Sequence, residues 1–149
     1  MIGAILDYLQ AHPIVTIALL FIGFRIYSMM TLKEVVIEGS RVEAVESHGE
    51  FKEGLKNNKI VIADFYANWC PGCVHAAPEY AKLSKRYQNV KFIKINTDKA
   101  GDIASAYQIE ALPTFKIFAN KKEVTSLVGF DKHDMIAKLE SAGAVATQE

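Results

Sequence analysis

The sequence predicts an α/β fold in which a central mixed β-sheet is flanked by helices. Strand and helix patterns alternate three times between residues 40 and 107, and a strand pair and a last helix follow. An apolar run at residues 60–63 suits a central strand that is covered on both faces. The chain has 149 residues, half of them apolar, which is enough for one domain with a core. These observations favour one soluble domain plus an N-terminal appendage.

Residues 1–32 are predicted to form a single membrane anchor. Residues 8–24 carry no formal charge, and the segment 13–32 has about the length that a membrane helix needs. A buried or interfacial helix and a cleaved signal peptide are the alternatives, but the acidic Asp7 and the absence of a cleavage site argue against a signal peptide. Arg25 and Lys33 favour a cytoplasmic position for the domain that follows. A mitochondrial or ER membrane is the alternative location.

Residues 33–39 are predicted to link the anchor to a domain at 40–142. Residues 40–46 alternate as a short strand. Ser47 and Glu50 match a capping box, which predicts a helix that ends near residue 57. The central strand is then expected at 59–66.

A long helix is predicted from Pro71 to about residue 88, with Pro78 bending its axis without ending it. The next strand is expected at 89–96. A helix over 100–107 should follow, with Thr97 or Asp98 as its cap.

The last elements are a hairpin and a helix. Strands at 114–119 and 123–128 are joined by a turn at Asn120 and Lys121. Asp131 is predicted to cap a helix that runs to residue 140. The C-terminal tail, residues 143–149, is expected to be disordered from residue 144.

Composition excludes several kinds of function. The formal net charge is zero and no basic run occurs, so nothing indicates a nucleic-acid partner. The chain has two cysteines, close together, which excludes a disulfide scaffold that closes long loops. Its four histidines are scattered and no second C-x-x-C pair exists, so no metal site is expected. No nucleotide or flavin fingerprint appears either.

The two cysteines lie where a strand pattern changes into a helix pattern. Cys70 is predicted at or near the helix N-cap and Pro71 at the first helical position. The unpaired N–H groups of a helix start stabilise a thiolate, so Cys70 should be the attacking sulfur. Cys73 lies about one helical turn away and should be the resolving thiol. The alternatives are a metal half-site or two inert core thiols.

Several separate motifs carry a resemblance to a known family. The segment DFYANWCPGC, with Pro78 on the same helix and the later Leu112-Pro113-Thr114, resembles the thioredoxin family over roughly residues 40–142. The inner dipeptide departs from the family, which usually has Gly-Pro where this chain has Pro71-Gly72.

The resemblance implies a thioredoxin-like fold with its redox site at the carboxyl end of the central strand. It implies reduction of protein disulfides through a mixed disulfide on Cys70 that Cys73 resolves. The redox-active disulfide of these two cysteines is then the only cofactor, and an external reductase must recharge it. Two alternatives remain: an oxidase or isomerase in an oxidising compartment, and a membrane-tethered adaptor that binds clients with little redox turnover.

Asp64 interrupts the apolar central strand. Burying a lone carboxylate is costly, so the alternative is an acid at the strand end that reaches water. By resemblance Asp64 matches the family's buried acid behind the motif, which is suited to accept a proton from Cys73. Lys94 matches a lysine that the family places near this acid, although a solvated strand lysine fits equally.

By resemblance the peptide bond before Pro113 is cis, which leaves the backbone of Leu112 free to pair with an extended client. The alternative is an ordinary strand-leading proline. The family often has a lysine where Val74 stands, so an apolar and nearly uncharged rim is expected, which favours protein disulfides over glutathione. The residues expected to surround Cys70 or to bind the client are Trp69, Pro71, Gly72, Val74, Ala111, Leu112, Pro113, Gly129 and Phe130.

Overall fold

A computed structural model of the protein describes residues 3, 10–30 and 37–147. The chain divides into two units, residues 1–33 and residues 34–149. The first unit contains helix α1 (Pro13–Met30). The second contains, in chain order, β1 (Val42–Ala44), α2 (His48–Asn57), β2 (Ile60–Tyr66), α3 (Pro71–Arg86), β3 (Lys91–Asn96), α4 (Gly101–Ala106), β4 (Thr114–Ala119), β5 (Lys122–Val128) and α5 (Lys132–Ser141).

The structure does not show the predicted membrane-spanning segment at 13–32. Helix α1 covers residues 13–30 of that segment, with Arg25 among them. Within the described ranges, none of the helices is both long and apolar enough to cross a membrane. The last two residues of the predicted span and most of the predicted linker lie outside those ranges, and the cytoplasmic location stays a prediction.

The second unit is built on a five-stranded mixed sheet in the order β1-β3-β2-β4-β5. Strands β1 and β2 both pair with β3 in parallel, whereas β4 is antiparallel to β2 and β5 is antiparallel to β4. Strand β2 therefore lies at the centre, and its residues are buried up to Phe65. The predicted mixed sheet and its central strand are confirmed.

The sheet is covered on both faces because alternate residues of β2 face opposite ways. One core contains Ile60 and Ile62 from β2 together with residues of α3 and α5, among them Ala76, Tyr80, Leu83, Met135 and Leu139. The other contains Val61, Ala63 and Phe65 with residues of α2 and α4, among them Phe51, Leu55, Ile103 and Ala104. The helices thus pack on both faces, as the sequence predicts.

The predicted caps of α2 and α5 are confirmed. The Ser47 hydroxyl accepts from the Glu50 N–H at 3.3 Å, and the Glu50 carboxylate accepts from the Glu46 N–H at 3.0 Å. Asp131 accepts from the Asp134 N–H at 2.8 Å. The bonds to Ser47 and Asp131 each satisfy a backbone donor that a helix start leaves without an intrahelical partner.

Two local predictions are wrong. Helix α4 begins after Ala100, which makes no side-chain cap, so neither Thr97 nor Asp98 caps it. The tail is ordered at least to residue 147, because the Val145 N–H donates to Asn89 at 2.9 Å and the Thr147 N–H donates to the Arg86 carbonyl at 2.8 Å. Backbone partners of this kind remove the freedom that terminal segments otherwise keep.

Candidate active site

Cys70 and Cys73 form a disulfide at the start of α3, with their Cα atoms 5.3 Å apart. Cys70 is the N-cap and Pro71 occupies the first turn, as the sequence predicts. The Cys73 N–H donates to the Cys70 sulfur at 3.2 Å. A helix-start N–H that already points at this sulfur would stabilise its thiolate after reduction. Cys70 is therefore the better placed of the two to be the attacking nucleophile.

Asp64 lies on the face of β2 that packs against α3. It is on the same face of β2 as Ile62, whose carbonyl accepts a hydrogen bond from the Tyr80 hydroxyl at 3.1 Å. Strand β2 runs from Ile62 towards the start of α3, and Cys73 precedes Tyr80 by about two helical turns on the same face. Asp64 is therefore closer than Ile62 to the start of α3, the end of the helix that carries Cys73.

Burial dominates the electrostatics of Asp64. Its side chain is 5% exposed, and its Oδ1 has no hydrogen-bond partner in the described part of the chain. This desolvation raises the pKa of Asp64 to about 8, against an opposing effect of the nearby Lys94 ammonium. A carboxyl with a pKa near that of a thiol is well matched to take the proton of a cysteine.

Lys94 pairs with Asp64 in register across the parallel strands β3 and β2. Its ammonium lies 6.0 Å from the centre of the Tyr66 ring, and it favours the charged form of Asp64. Lys94 is therefore next to Asp64, as the resemblance implies.

The segment before β4 lies against the start of α3. The Leu112–Pro113 peptide bond is cis, as the resemblance implies. A Cβ on Gly72 would lie 3.3 Å from Pro113 Cδ, so the two segments are in close contact. The Gly129 N–H donates to the Pro113 carbonyl at 2.8 Å, which joins the end of β5 to this segment.

A groove of about 500 Å³ opens beside Cys70. The Trp69 side chain forms one wall of the groove. Its indole N–H donates to both carboxylate oxygens of Asp98, at 3.0 and 3.3 Å. Within the described ranges, the backbone N–H and carbonyl of Leu112 on the facing wall make no hydrogen bond. The lining residues are Trp69, Cys70, Pro71, Gly72, Thr97, Ala104, Ile109, Glu110, Ala111 and Leu112.

The structure gathers most, but not all, of the predicted rim. Phe130 packs on Phe115 in the core, with ring centres 5.6 Å apart, and Val74 is exposed on α3 outside the groove lining. The lining of the groove is nearly uncharged, as expected: among its described residues Glu110 carries the one charge, and the carboxylate of Asp98 holds Trp69 beside it. Sequence reasoning missed Glu110, although its position two residues before Leu112-Pro113 was a signal for it.

The fold and the cysteine pair at the start of α3 define a thiol–disulfide oxidoreductase. A family model described as Thioredoxin matches residues 42–141. That match covers most of the chain, so the chain belongs to the thioredoxin family.

Similar proteins include thioredoxins and one much larger protein. The chain is 40% identical over 91 residues to a mitochondrial thioredoxin-2 of Schizosaccharomyces pombe, a match to 61% of this chain and 68% of the relative. It is also 40% identical over 90 residues to a peptide-N(4)-(N-acetyl-beta-glucosaminyl)asparagine amidase of Caenorhabditis briggsae, which covers 60% of this chain but 15% of that protein. This chain therefore spans only a small part of the larger relative.

Solved structures agree with the fold. A thioredoxin from Nicotiana alata is 31% identical with a TM-score of 0.68, and the match covers 73% of this chain and 98% of that one. A Plasmodium falciparum thioredoxin is 33% identical with a TM-score of 0.64, covering 66% of this chain and 97% of that one. Each solved chain is thus matched almost completely by part of this one.

Proposed function

We propose that this chain reduces disulfides of other proteins through a mixed disulfide on Cys70 that Cys73 resolves. The observation that carries the proposal is the Cys70 sulfur at the N-cap of α3, where it accepts from the Cys73 N–H beside an open groove. Protein-disulfide reduction is the activity of the thioredoxin family, to which the chain belongs.

In the first step the reduced Cys70 thiolate attacks one sulfur of the client disulfide. A bond forms between Cys70 and that sulfur, the client bond breaks, and the other client sulfur leaves as a thiolate. The helix-start N–H groups stabilise the attacking thiolate. The extended client segment pairs with the backbone of Leu112, whose N–H and carbonyl have no partner among the described residues.

In the second step Cys73 attacks the Cys70 sulfur. Its thiol first passes a proton to the Asp64 carboxylate, the Cys70–Cys73 disulfide forms, and the second client thiolate leaves. The client gains two electrons and the enzyme loses two. An external reductase then returns both cysteines to the thiol form, because the C-x-x-C pair stores only one pair of electrons.

The pKa of about 8 sets the pH range of the second step. At pH 7 only about one Asp64 side chain in ten is ionised, so the available base increases as the pH rises through 8. Resolution should accelerate over that range until the thiol itself loses its proton to solvent.

The experiment that tests this proposal uses Cys73→Ser and Cys70→Ser. With insulin as client and dithiothreitol as reductant, the wild type should release the insulin chains catalytically. For trapping, each variant is first reduced and then separated from dithiothreitol, which would otherwise cleave a mixed disulfide. Cys73→Ser should then accumulate a client disulfide on Cys70, visible by mass spectrometry under non-reducing conditions, and Cys70→Ser should accumulate none. Trapping by Cys70→Ser alone would reverse the two roles, and absence of turnover in the wild type would overturn the reductase.

A further inference from the structure

The groove beside Cys70 carries an unpaired negative charge. Glu110 is exposed in its lining and makes no ion pair or hydrogen bond with any residue that the structure describes. The other lining side chains, including the disulfide-bonded Cys70, are uncharged. A carboxylate in this position faces whatever chain occupies the groove.

The charge near Glu110 is not neutralised by neighbouring bases. Asp98 adds a second carboxylate at the rim, where it accepts from the Trp69 indole. The next residue, Lys99, directs its ammonium to Glu46 at 2.8 Å, away from the groove lining. In the part of the chain that is described, no Lys, Arg or His lines the groove. The potential in the groove is therefore negative, and low-dielectric walls strengthen it.

Glu110 lies within reach of a client beside the attacked sulfur. It lies two positions before Leu112, a backbone distance of at most about 7 Å. A client strand paired with Leu112 has the same rise per residue as the segment that carries Glu110. A client side chain within two residues of the attacked cysteine is therefore expected to lie next to Glu110. Opposite charges at that spacing attract and like charges repel, and salt weakens both effects.

We infer that Glu110 makes this enzyme select client disulfides with a lysine or arginine within two residues of the attacked cysteine. The inference rests on the reductase function proposed above and names the client class of the same groove. Selection arises as much from repulsion of acidic segments as from attraction of basic ones. It acts on the rate of the first step, where the client enters the groove.

The test uses three synthetic peptides with one cysteine each, oxidised to symmetric dimers, that differ only in Lys, Gln or Glu two residues after the cysteine. The full chain is first reduced with dithiothreitol and separated from it. Its rates of peptide reduction are then divided by the rates with dithiothreitol alone, which removes the effect of peptide charge on thiolate attack itself. The wild type should reduce the Lys peptide about three- to fivefold faster than the Gln peptide at about 20 mM salt. At about 500 mM salt the ratio should approach one.

Three variants assign the effect. Glu110→Gln should bring the Lys to Gln ratio to about one, and Glu110→Lys should make the Glu peptide the fastest. Glu53→Gln, an exposed carboxylate on α2 outside the groove lining, should keep the wild-type ratio.

Equal rates on all three peptides, or an unchanged ratio in Glu110→Gln, would overturn the inference and leave the reductase function standing. No reduction of any peptide would overturn both.

Discussion

A buried carboxyl with a raised pKa makes the stability of this fold depend on pH. Between the ordinary value of 3.8 and about 8, folded Asp64 holds a proton that the unfolded chain has released. The folded state then binds more protons, so the free energy of unfolding decreases as the pH rises through this window. For a pKa difference of this size between the folded and unfolded states, the free energy of unfolding should decrease by about a few kcal/mol in total.

Asp64→Asn should remove that dependence, because an amide of similar shape does not ionise. The variant should match the wild type near pH 4 and exceed it increasingly towards pH 8. Urea unfolding across this range measures the difference, with the exposed Asp134→Asn as the control that keeps the wild-type slope. Parallel curves for wild type and Asp64→Asn would show that this carboxyl is ionised in the folded protein.

The same substitution should slow the second chemical step. Without a carboxylate under α3, the Cys73 thiol must release its proton unaided, so mixed disulfides on Cys70 should persist longer, most of all where the thiol is mainly protonated. Rapid-quench kinetics from about pH 6 to about pH 9 separates attack from resolution. Equal resolution rates in both proteins at every pH would leave Asp64 a structural acid.

Individual residues differ in how far the sequence can predict them. The burial of Asp64 was predicted by the resemblance and not by local chemistry, because a lone acid at a strand end can also reach water. The contact of Asp98 with Trp69 was not predicted, because the sequence pattern favours a helix cap there, whereas in the fold the Asp98 carboxylate meets a tryptophan 29 residues away. Such long-range contacts depend on loop paths that no local periodicity encodes.

At the scale of elements, the start of α3 is where this chain departs from its family. Cys70 is the N-cap, so the N–H groups of the second and third helical positions can reach its sulfur. Here those positions are Gly72 and Cys73, and both carry an N–H. The usual Gly-Pro order would put a proline, which has no N–H, at residue 72.

Exchanging Pro71-Gly72 for Gly-Pro should therefore make the Cys70–Cys73 pair more reducing. The reduced form loses one donor to its thiolate, and stabilisation of the reduced form is what raises a potential. We expect a shift of about 30 mV to more negative values, equivalent to about 1.4 kcal/mol for a two-electron couple. A glutathione titration of both proteins measures it, and an unchanged or more positive potential would exclude this role for the Gly72 N–H.

Element positions followed from the sequence wherever a local rule applied. The caps of α2 and α5 and the turn at Asn120 and Lys121, both with positive φ, were predicted from residue chemistry. The predicted cap of α4 is wrong, because the N-cap is Ala100, whose side chain cannot accept a hydrogen bond. The tail was mispredicted because hydrogen bonds to Asn89 and Arg86, far away in sequence, hold it.

On the scale of the whole molecule, the redox site and the first unit belong to separate parts of the chain. All residues of the groove, the disulfide and the buried acid lie in the unit at 34–149. The family match begins at residue 42, and the solved thioredoxins are almost completely covered by part of this chain. The chemistry and the folding of the second unit should therefore not need residues 1–32.

Deleting residues 1–32 should leave disulfide reduction and stability unchanged. The free energy of unfolding should agree with that of the full chain within about 0.5 kcal/mol, the scale of changes that remove no core contact. Urea unfolding measures this, and insulin reduction at matched concentrations measures turnover. As a control, Phe92→Ala in the core of the same unit should lose about 3 to 5 kcal/mol, which shows that the assay detects a lost contact. A truncated protein that is destabilised by more than 1 kcal/mol, or that reduces insulin several times more slowly, would mean that the first unit supports the redox unit.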